Sequence, residues 1–231
     1  MTDGQFPLLS AALWAPTVGA AIVLLTRGRS SAAALAMLTS LISLVVIVSI
    51  TLNFDRTMSG YQFLEERDWM PALGLSYRIG VDGISILMLL LTALLTPLVI
   101  ATSWLSINRR AKEYMAAILL LETGLLGVFM ALDLVLFYLF WELVLIPMYL
   151  LIGIWGGPNR IYATIKFFLF TFVGSVLMLL AILVVAFDAG SFNVVLLPAL
   201  GLSSHLQMWV FGAFFLAFAI KAPMFPFHTW L

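Results

Sequence analysis

Long uninterrupted runs of Leu, Ile, Val, Phe and Ala recur along the chain, separated by short polar stretches. Each run is about 20 residues long, enough to cross roughly 30 Å of hydrocarbon as a helix. The runs are solidly apolar and do not alternate as the strands of a membrane β-barrel do. We therefore expect an all-α, polytopic transmembrane helix bundle with about seven spans, at 7–26, 31–53, 84–107, 114–131, 134–155, 161–187 and 206–231.

The longest polar stretch lies between the second and third spans, at residues 54–82. Within it, residues 75–81 alternate loosely and predict a short strand, which could form a hairpin with residues 61–64. Asp82 directly precedes the next apolar run and is a predicted N-cap of that helix. We expect residues 1–113 to hold three transmembrane helices with this hairpin on the outer face, and residues 114–231 to hold the fourth to seventh helices.

The distribution of Lys and Arg predicts the orientation in the membrane, since cytoplasmic loops carry more of them. The loops after the first, third and fifth spans lie on one side and contain six basic residues. The opposite side contains three, diluted by acidic residues, so we expect the N-terminus to face outward. The six are Arg27, Arg29, Arg109, Arg110, Lys112 and Arg160, and the three are Arg56, Arg67 and Arg78.

The composition excludes a soluble enzyme, because 64% of residues are hydrophobic and only 10% are charged, against about 25% in soluble domains. With 11 basic and 11 acidic residues, no net positive charge is available to attract nucleic acid. The absence of Cys excludes thiolate metal sites and iron–sulfur ligands, and no phosphate-binding glycine motif occurs. We expect no cofactor, no metal and no active site for redox chemistry in this chain.

Three ionisable residues fall well inside predicted spans, and two of them, Glu142 and Lys221, are the main candidates for function. A charge at the bilayer centre costs about 2.5–3.5 kcal/mol, so such residues face the bundle interior or water. Burial favours the neutral form of a lone Glu or Lys, whereas a Glu–Lys pair favours both charged forms. A proton or water entering the pair switches it between these states, which is the chemistry of a proton relay. The alternative is that they fix helix packing; the cost of burial favours a functional role.

Three further residues are candidates for a proton relay: Glu122, Lys166 and His228. For Glu122 a packing role and a relay role stay equally open. Lys166 lies nearer a helix end and could instead anchor its helix at the inner surface.

Prolines follow both central charges and predict helix breaks. Pro147 comes five residues after Glu142, and its ring clashes with the Leu143 carbonyl. Pro223 and Pro226 follow Lys221 closely. Interrupted helices beside membrane charges are typical of ion sites, although proline is also common in membrane helices generally.

Four stretches of the sequence resemble, in consistent order, the antiporter-like membrane subunits of the proton-pumping NADH–quinone oxidoreductase, respiratory complex I. The form Trp-Glu-Leu-x-Leu-Ile-Pro-Met-Tyr is similar to subunit M, chain 4 in mitochondria. It favours that subunit over the other two antiporter-like subunits and over multisubunit cation/proton antiporters. The stretches are YRIGVDGIS at 77–85, FYLFWELVLIPMYLLIGIWGG at 137–157, KFFLFT at 166–171 and KAPMFPFHTWL at 221–231.

The resemblance implies that Glu142 and Lys221 form the Glu–Lys pair of a proton channel, coupled to NADH oxidation and quinone reduction elsewhere in the complex. It implies that NADH, FMN, iron–sulfur clusters and quinone are bound by other subunits. The expected partners are other membrane-arm subunits, chiefly neighbouring antiporter-like ones, in a bacterial inner (plasma) membrane.

Members of this family have about fourteen helices, with two inverted repeats. The resemblance implies that 114–231 is an incomplete proton-channel repeat, with the fold truncated within the first inverted repeat. We expect the chain to be the N-terminal fragment of a protein about twice as long. Two other functions stay open: a subunit of a multisubunit cation/proton antiporter, and a purely structural membrane subunit.

Overall fold

A computed structural model describes residues 7–199 and 201–231. Among these residues, seven helical segments are long and apolar enough to cross a membrane, which confirms the seven predicted spans. The fifth segment is divided into two helices. The elements are α1 (Leu8–Leu25), α2 (Arg29–Leu52), β1 (Gln62–Met70), β2 (Leu75–Val81), α3 (Ser85–Ser106), α4 (Ala111–Met130), α5 (Leu134–Leu143), α6 (Leu145–Trp155), α7 (Arg160–Ala189) and α8 (Ser204–Lys221).

The last span is shorter than the hydropathy pattern predicts. A helix continuing to residue 231 was expected, but α8 ends at Lys221. Pro223 has no amide hydrogen to donate, and the residue before a proline is disfavoured in the helical conformation. The chain then turns and forms a short 3-10 helix at Phe227–Trp230. This segment is apolar, which is why hydropathy alone did not separate it from the helix.

The chain divides into two compact units. Unit 1 extends to Arg67 and resumes over Tyr77–Ala131, and unit 2 consists of Asp68–Ser76 and Leu132–Leu231. The division at residue 113 that the sequence predicted, between the first three helices and the rest, stays a prediction.

Unit 1 is a bundle of α1 to α4, in which α1 packs against α2 and α4, and α3 packs against the same two helices. Gly19 allows α1 to approach α2 closely, because a methyl group at this position would lie 2.2 Å from Cγ2 of Thr39. A small residue at the contact is what allows two membrane helices to approach each other closely.

A hairpin of β1 and β2 follows α2, and the strand predicted at 75–81 is present with those bounds. Gly74 has a φ of +70° in the turn between the strands, a conformation that glycine adopts without strain. Glu65 of β1 accepts hydrogen bonds from the backbone amides of Leu9 at 2.7 Å and Ser10 at 3.1 Å. These amides belong to the first turn of α1, so a strand side chain supplies the cap that Pro7 cannot provide.

In unit 2, α7 packs against α5, α6 and α8, and the 3-10 helix at Phe227–Trp230 packs against α7 and α8. Asp133 begins α5: its carboxylate accepts hydrogen bonds from the amides of Val135 at 3.0 Å and Leu136 at 3.1 Å. Capping by an Asp at this position is typical of helix N-termini. The cap sets the start of the helix that carries Glu142.

Candidate functional site

Glu142 lies at the point where the fifth span is interrupted. Helix α5 ends at Leu143, and α6 begins at Leu145 after a turn at Val144. Pro147 has no amide hydrogen, so the carbonyl of Leu143 loses its helical donor. The neighbouring bond is long, since the Val144 amide lies 3.3 Å from the Phe140 carbonyl. The break therefore begins two residues after the glutamate.

The Glu142 carboxyl is half-buried, with hydroxyl groups beside it. The hydroxyls of Tyr138 on α5 and Ser175 on α7 lie close enough to interact with it. Ser175 is 1% exposed and also donates to the Phe172 carbonyl at 3.0 Å. Oε1 of Glu142 is buried and has no hydrogen-bond partner among the described residues. One acceptor of the carboxyl is therefore unused among the described residues.

Lys221 is the last residue of α8, and its side chain reaches α5. Its Nζ donates a hydrogen bond to the Trp141 carbonyl at 3.2 Å. The same nitrogen lies 4.6 Å from the centre of the Trp141 ring, a distance suited to cation–π attraction. The ring itself is held edge-on against Phe218 of α8, with centres 5.1 Å apart. Lys221 is thus positioned next to the residue that precedes Glu142.

The ammonium of Lys221 and the carboxyl of Glu142 attract each other electrostatically. They do not touch: the ion pairs with N···O distances up to 4 Å that the structure shows in its described ranges involve other residues. A close ion pair would hold both charges tightly and resist proton exchange. Separated but interacting groups leave room for a proton to change the charge of either one.

The segment after Lys221 closes the end of α8. The last carbonyls of a helix have no intrahelical donor. Here the Ala219 carbonyl accepts from the Met224 amide at 2.8 Å, and the Ile220 carbonyl accepts from Nε1 of Trp230 at 2.8 Å. Pro223 and Pro226 lie in this returning segment. The break predicted beside Lys221 is therefore a complete helix end with its own hydrogen-bond partners.

The other candidate relay residues lie elsewhere. Lys166 of α7 donates a hydrogen bond to the Thr229 carbonyl, and His228 is an exposed residue of the 3-10 helix. Glu122 lies on α4 in unit 1 and is 1% exposed. Among these predicted residues, the structure brings only Glu142 and Lys221 into one interacting group.

Three participants escaped sequence reasoning: Ser175, Tyr138 and the Trp141 carbonyl. Ser175 stands beside Gly174, and two adjacent small residues in a membrane helix are typical of close helix packing. Gly174 does have that role, since a methyl group there would lie 3.5 Å from Cα of Ala217. The buried hydroxyl next to it, however, faces the glutamate. Its position one turn beyond Thr171, on the same face of α7, is the signal that could have found it.

Known proteins resemble this chain in sequence and in fold. Residues 131–231 match the family model described as "NADH:quinone oxidoreductase/Mrp antiporter, TM". Respiratory complex I from Thermus thermophilus contains a similar chain, with a TM-score of 0.86 and 34% identity, covering 96% of this chain and 46% of that one. A chain of the Mrp complex from Dietzia sp. shares the fold at a TM-score of 0.83 and 22% identity, covering 96% of this chain and 24% of that one.

The curated relatives make the resemblance specific. The chain is 46% identical to "NADH-quinone oxidoreductase subunit M" of Rhodobacter capsulatus, over 97% of this chain and 47% of that protein. Rickettsia typhi has a relative of the same name, 39% identical over 98% of this chain and 48% of that protein. These findings confirm the resemblance to subunit M that the motifs indicated. The chain spans about half the length of the curated relatives it matches.

Proposed function

We propose that the chain acts as part of a proton-translocating membrane-arm subunit of an NADH–quinone oxidoreductase, in which Glu142 and Lys221 transfer protons. The observation that carries this proposal is the geometry of the pair. A carboxyl with a buried, unpartnered oxygen and an ammonium held by a carbonyl interact without a direct ion pair. Both lie where a helix is interrupted or ends.

The pair works through its charge balance. With Glu142 ionised and Lys221 protonated, each stabilises the other in surroundings of low dielectric constant. A proton that reaches the free oxygen of Glu142 removes the attraction and leaves the ammonium as a lone buried charge, which is costly. The ammonium is then favoured to release a proton onward. A change of charge near the site would bias the same equilibrium, which is how distant quinone reduction could drive it.

The relatives support two further parts of the proposal: which subunits adjoin this chain and in which membrane it lies. Curated relatives carry the name of a complex I subunit, and similar solved chains belong to multisubunit membrane assemblies. We infer that neighbouring membrane-arm subunits adjoin this chain, and that NADH, FMN, iron–sulfur clusters and quinone are bound by other subunits. The bacterial relatives favour a location in the inner membrane.

Substitution in the full-length protein, within the assembled enzyme, tests the proposal. We expect Glu142→Gln and Lys221→Met each to lower NADH-driven acidification of inverted membrane vesicles by at least about tenfold, as loss of a proton-transferring group does. Glu113→Gln and Lys112→Met are matched controls, because these residues lie in the first turn of α4. They should leave acidification unchanged.

Native gel electrophoresis of each variant shows whether the enzyme has assembled. Normal proton transport in an assembled Glu142→Gln or Lys221→Met enzyme would contradict the proposal and favour a purely structural role. The antiporter alternative makes a different prediction: transport driven by a sodium gradient in vesicles that receive no NADH.

A further inference from the structure

Most of the buried hydroxyl groups of unit 1 donate to carbonyls of their own helices, and one pairs with a hydroxyl of the neighbouring helix. Thr39 donates to the Leu35 carbonyl at 2.9 Å, and Ser40 donates to the Met37 carbonyl at 2.9 Å. On α3, the hydroxyls of Thr92 and Thr96 likewise donate to carbonyls four residues earlier. Such pairing is the general rule for buried polar groups. An exception within this unit therefore requires an explanation.

Three oxygen atoms are the exception, and they lie together. Both carboxyl oxygens of Glu122 and the hydroxyl oxygen of Ser43 are buried without a hydrogen-bond partner among the described residues. Ser43 of α2 lies beside the Glu122 carboxyl of α4. The two residues are 0% and 1% exposed. Unpaired polar atoms thus form one cluster between two packed helices.

The helices around the cluster are joined by a second polar contact one residue further along α4. The hydroxyl of Thr123 lies 2.8 Å from that of Thr17 on α1 and donates to the Leu119 carbonyl at 3.2 Å. Both hydroxyl hydrogens are used in these bonds, so neither threonine has a donor left for Glu122. Neither Lys nor Arg pairs with Glu122 within the described parts of the chain. The carboxyl therefore has no countercharge, and an unpaired buried carboxylate is strongly disfavoured.

We propose that Glu122 and Ser43 form a hydrated carboxylic-acid site inside unit 1, in which internal water bonds a neutral Glu122 carboxyl to the Ser43 hydroxyl. A neutral carboxyl offers one donor and several acceptors, and a hydroxyl offers both. Internal water typically makes about three hydrogen bonds to buried groups that would otherwise be unpaired. The ligand of the site is water together with an exchangeable proton. The site lies on α2 and α4 and is separate from Glu142 and Lys221.

Solid-state NMR of the full-length protein in lipid bilayers, labelled with carboxyl-¹³C glutamate, tests this site directly. This chain contributes five glutamates to the spectrum, and the Glu122 signal is identified by substitution. We expect the Glu122 signal at the chemical shift of a neutral carboxylic acid, with magnetisation transferred to it from water. Glu122→Gln and Glu122→Asp each remove the glutamate signal and so assign it.

Two serine variants distinguish loss of a hydrogen-bonding partner of Glu122 from a general effect on helix packing. Ser43→Ala should shift the Glu122 signal, because one hydrogen-bonding partner of the site is lost. Ser40→Ala is the matched control: it removes a buried hydroxyl from the same helix, but one that is already paired, and it should leave the signal in place. A Glu122 signal at the carboxylate position, or a neutral signal without transfer from water, would overturn the proposal. The first of these results would favour a bound cation.

Discussion

Two glutamates on successive spans show how surroundings, rather than residue type, decide chemistry. Glu142 has Ser175 and Lys221 within interacting distance, whereas Glu122 has the Ser43 hydroxyl beside it and no ion pair among the described residues. Both carry unpartnered carboxyl oxygens among the described residues. A nearby ammonium allows Glu142 to be ionised, which is needed for a group that gains and loses a proton. Without that partner, Glu122 is suited to holding a proton.

Asp82 provides a prediction at the residue scale. Its carboxylate accepts hydrogen bonds from the amides of Ile84 at 3.1 Å and Ser85 at 2.7 Å, at the start of α3. Partial burial raises the pKa of this carboxyl, but the hydrogen bonds outweigh burial and hold its pKa below the usual value. We expect Asp82→Ala to destabilise the protein by about 1 kcal/mol at neutral pH.

The pH dependence of this loss follows from the direction of the shift. A carboxyl with a lowered pKa in the folded state stabilises it above the unfolded pKa of about 3.9, and that stability disappears as pH falls through the folded pKa. Thermal unfolding of the unsubstituted protein and of Asp82→Ala can be followed from pH 7 downward. The difference in stability between them should become smaller below about pH 4. Asp68→Ala is the control: it lies at an exposed position in β1 and should leave stability at neutral pH unchanged. A difference independent of pH would contradict the prediction.

At the scale of elements, the ends of helices are determined by groups far away in the chain. Helix α8 ends at Lys221, and its Ile220 carbonyl accepts from Trp230. Helix α1 begins with amides that donate to Glu65, more than fifty residues later. In both cases an unpaired terminal group of a helix is satisfied by a side chain that the fold brings close. A helix end in this protein is therefore a tertiary feature.

The two adjacent glutamates of β1 give a prediction at this scale. Glu65 caps α1 through two backbone amides, while Glu66 forms an ion pair with Arg78 in which the Glu66 side chain is 53% exposed. We expect Glu65→Ala to destabilise the protein by roughly 1–2 kcal/mol, because the cap and its charge at the helix N-terminus are lost. Glu66→Ala should cost at most about 1 kcal/mol, as exposed ion pairs do.

Amide hydrogen exchange distinguishes capping from a general loss of stability. The amides of Leu9 and Ser10 should exchange faster in Glu65→Ala and stay protected in Glu66→Ala. Equal exchange in the two variants would show that Glu65 does not cap α1.

At the scale of the whole molecule, the charges outside the spans predict orientation. The hairpin and the basic loops fall on opposite sides when the seven spans are followed in order, and the basic side should face the cytoplasm. Since the chain contains no Cys, a single introduced Cys reports its location cleanly. We expect Ser59→Cys, in an exposed position before β1, to react with a membrane-impermeant maleimide in right-side-out vesicles.

Asn159→Cys is the matched position for the opposite side. It is exposed in the turn before α7, so it should react only in inverted vesicles. The reverse pattern of labelling would show that the N-terminus faces the cytoplasm.

The spans and their approximate limits could be predicted from the sequence, since six of them agree with the structure to within about four residues. The C-terminal limit of the seventh could not, because residues 222–231 are mostly apolar and hydropathy does not show that the helix ends at Lys221. In the candidate site, the sequence predicted Glu142 and Lys221, because both are ionisable residues inside apolar runs. The role of Ser175 was not, since a serine beside a glycine is typical of close helix packing.

The sequence by itself determined which segments enter the membrane and which ionisable groups they carry, because the free energy of transfer into lipid depends on local composition. Only the tertiary structure decided which residues lie next to each of those groups. It placed Lys221 beside the Trp141 carbonyl, eighty residues away, and Ser43 beside Glu122. The physical reason is that helix packing brings distant residues together, and the energy of a buried charge depends on those neighbours rather than on the sequence around it.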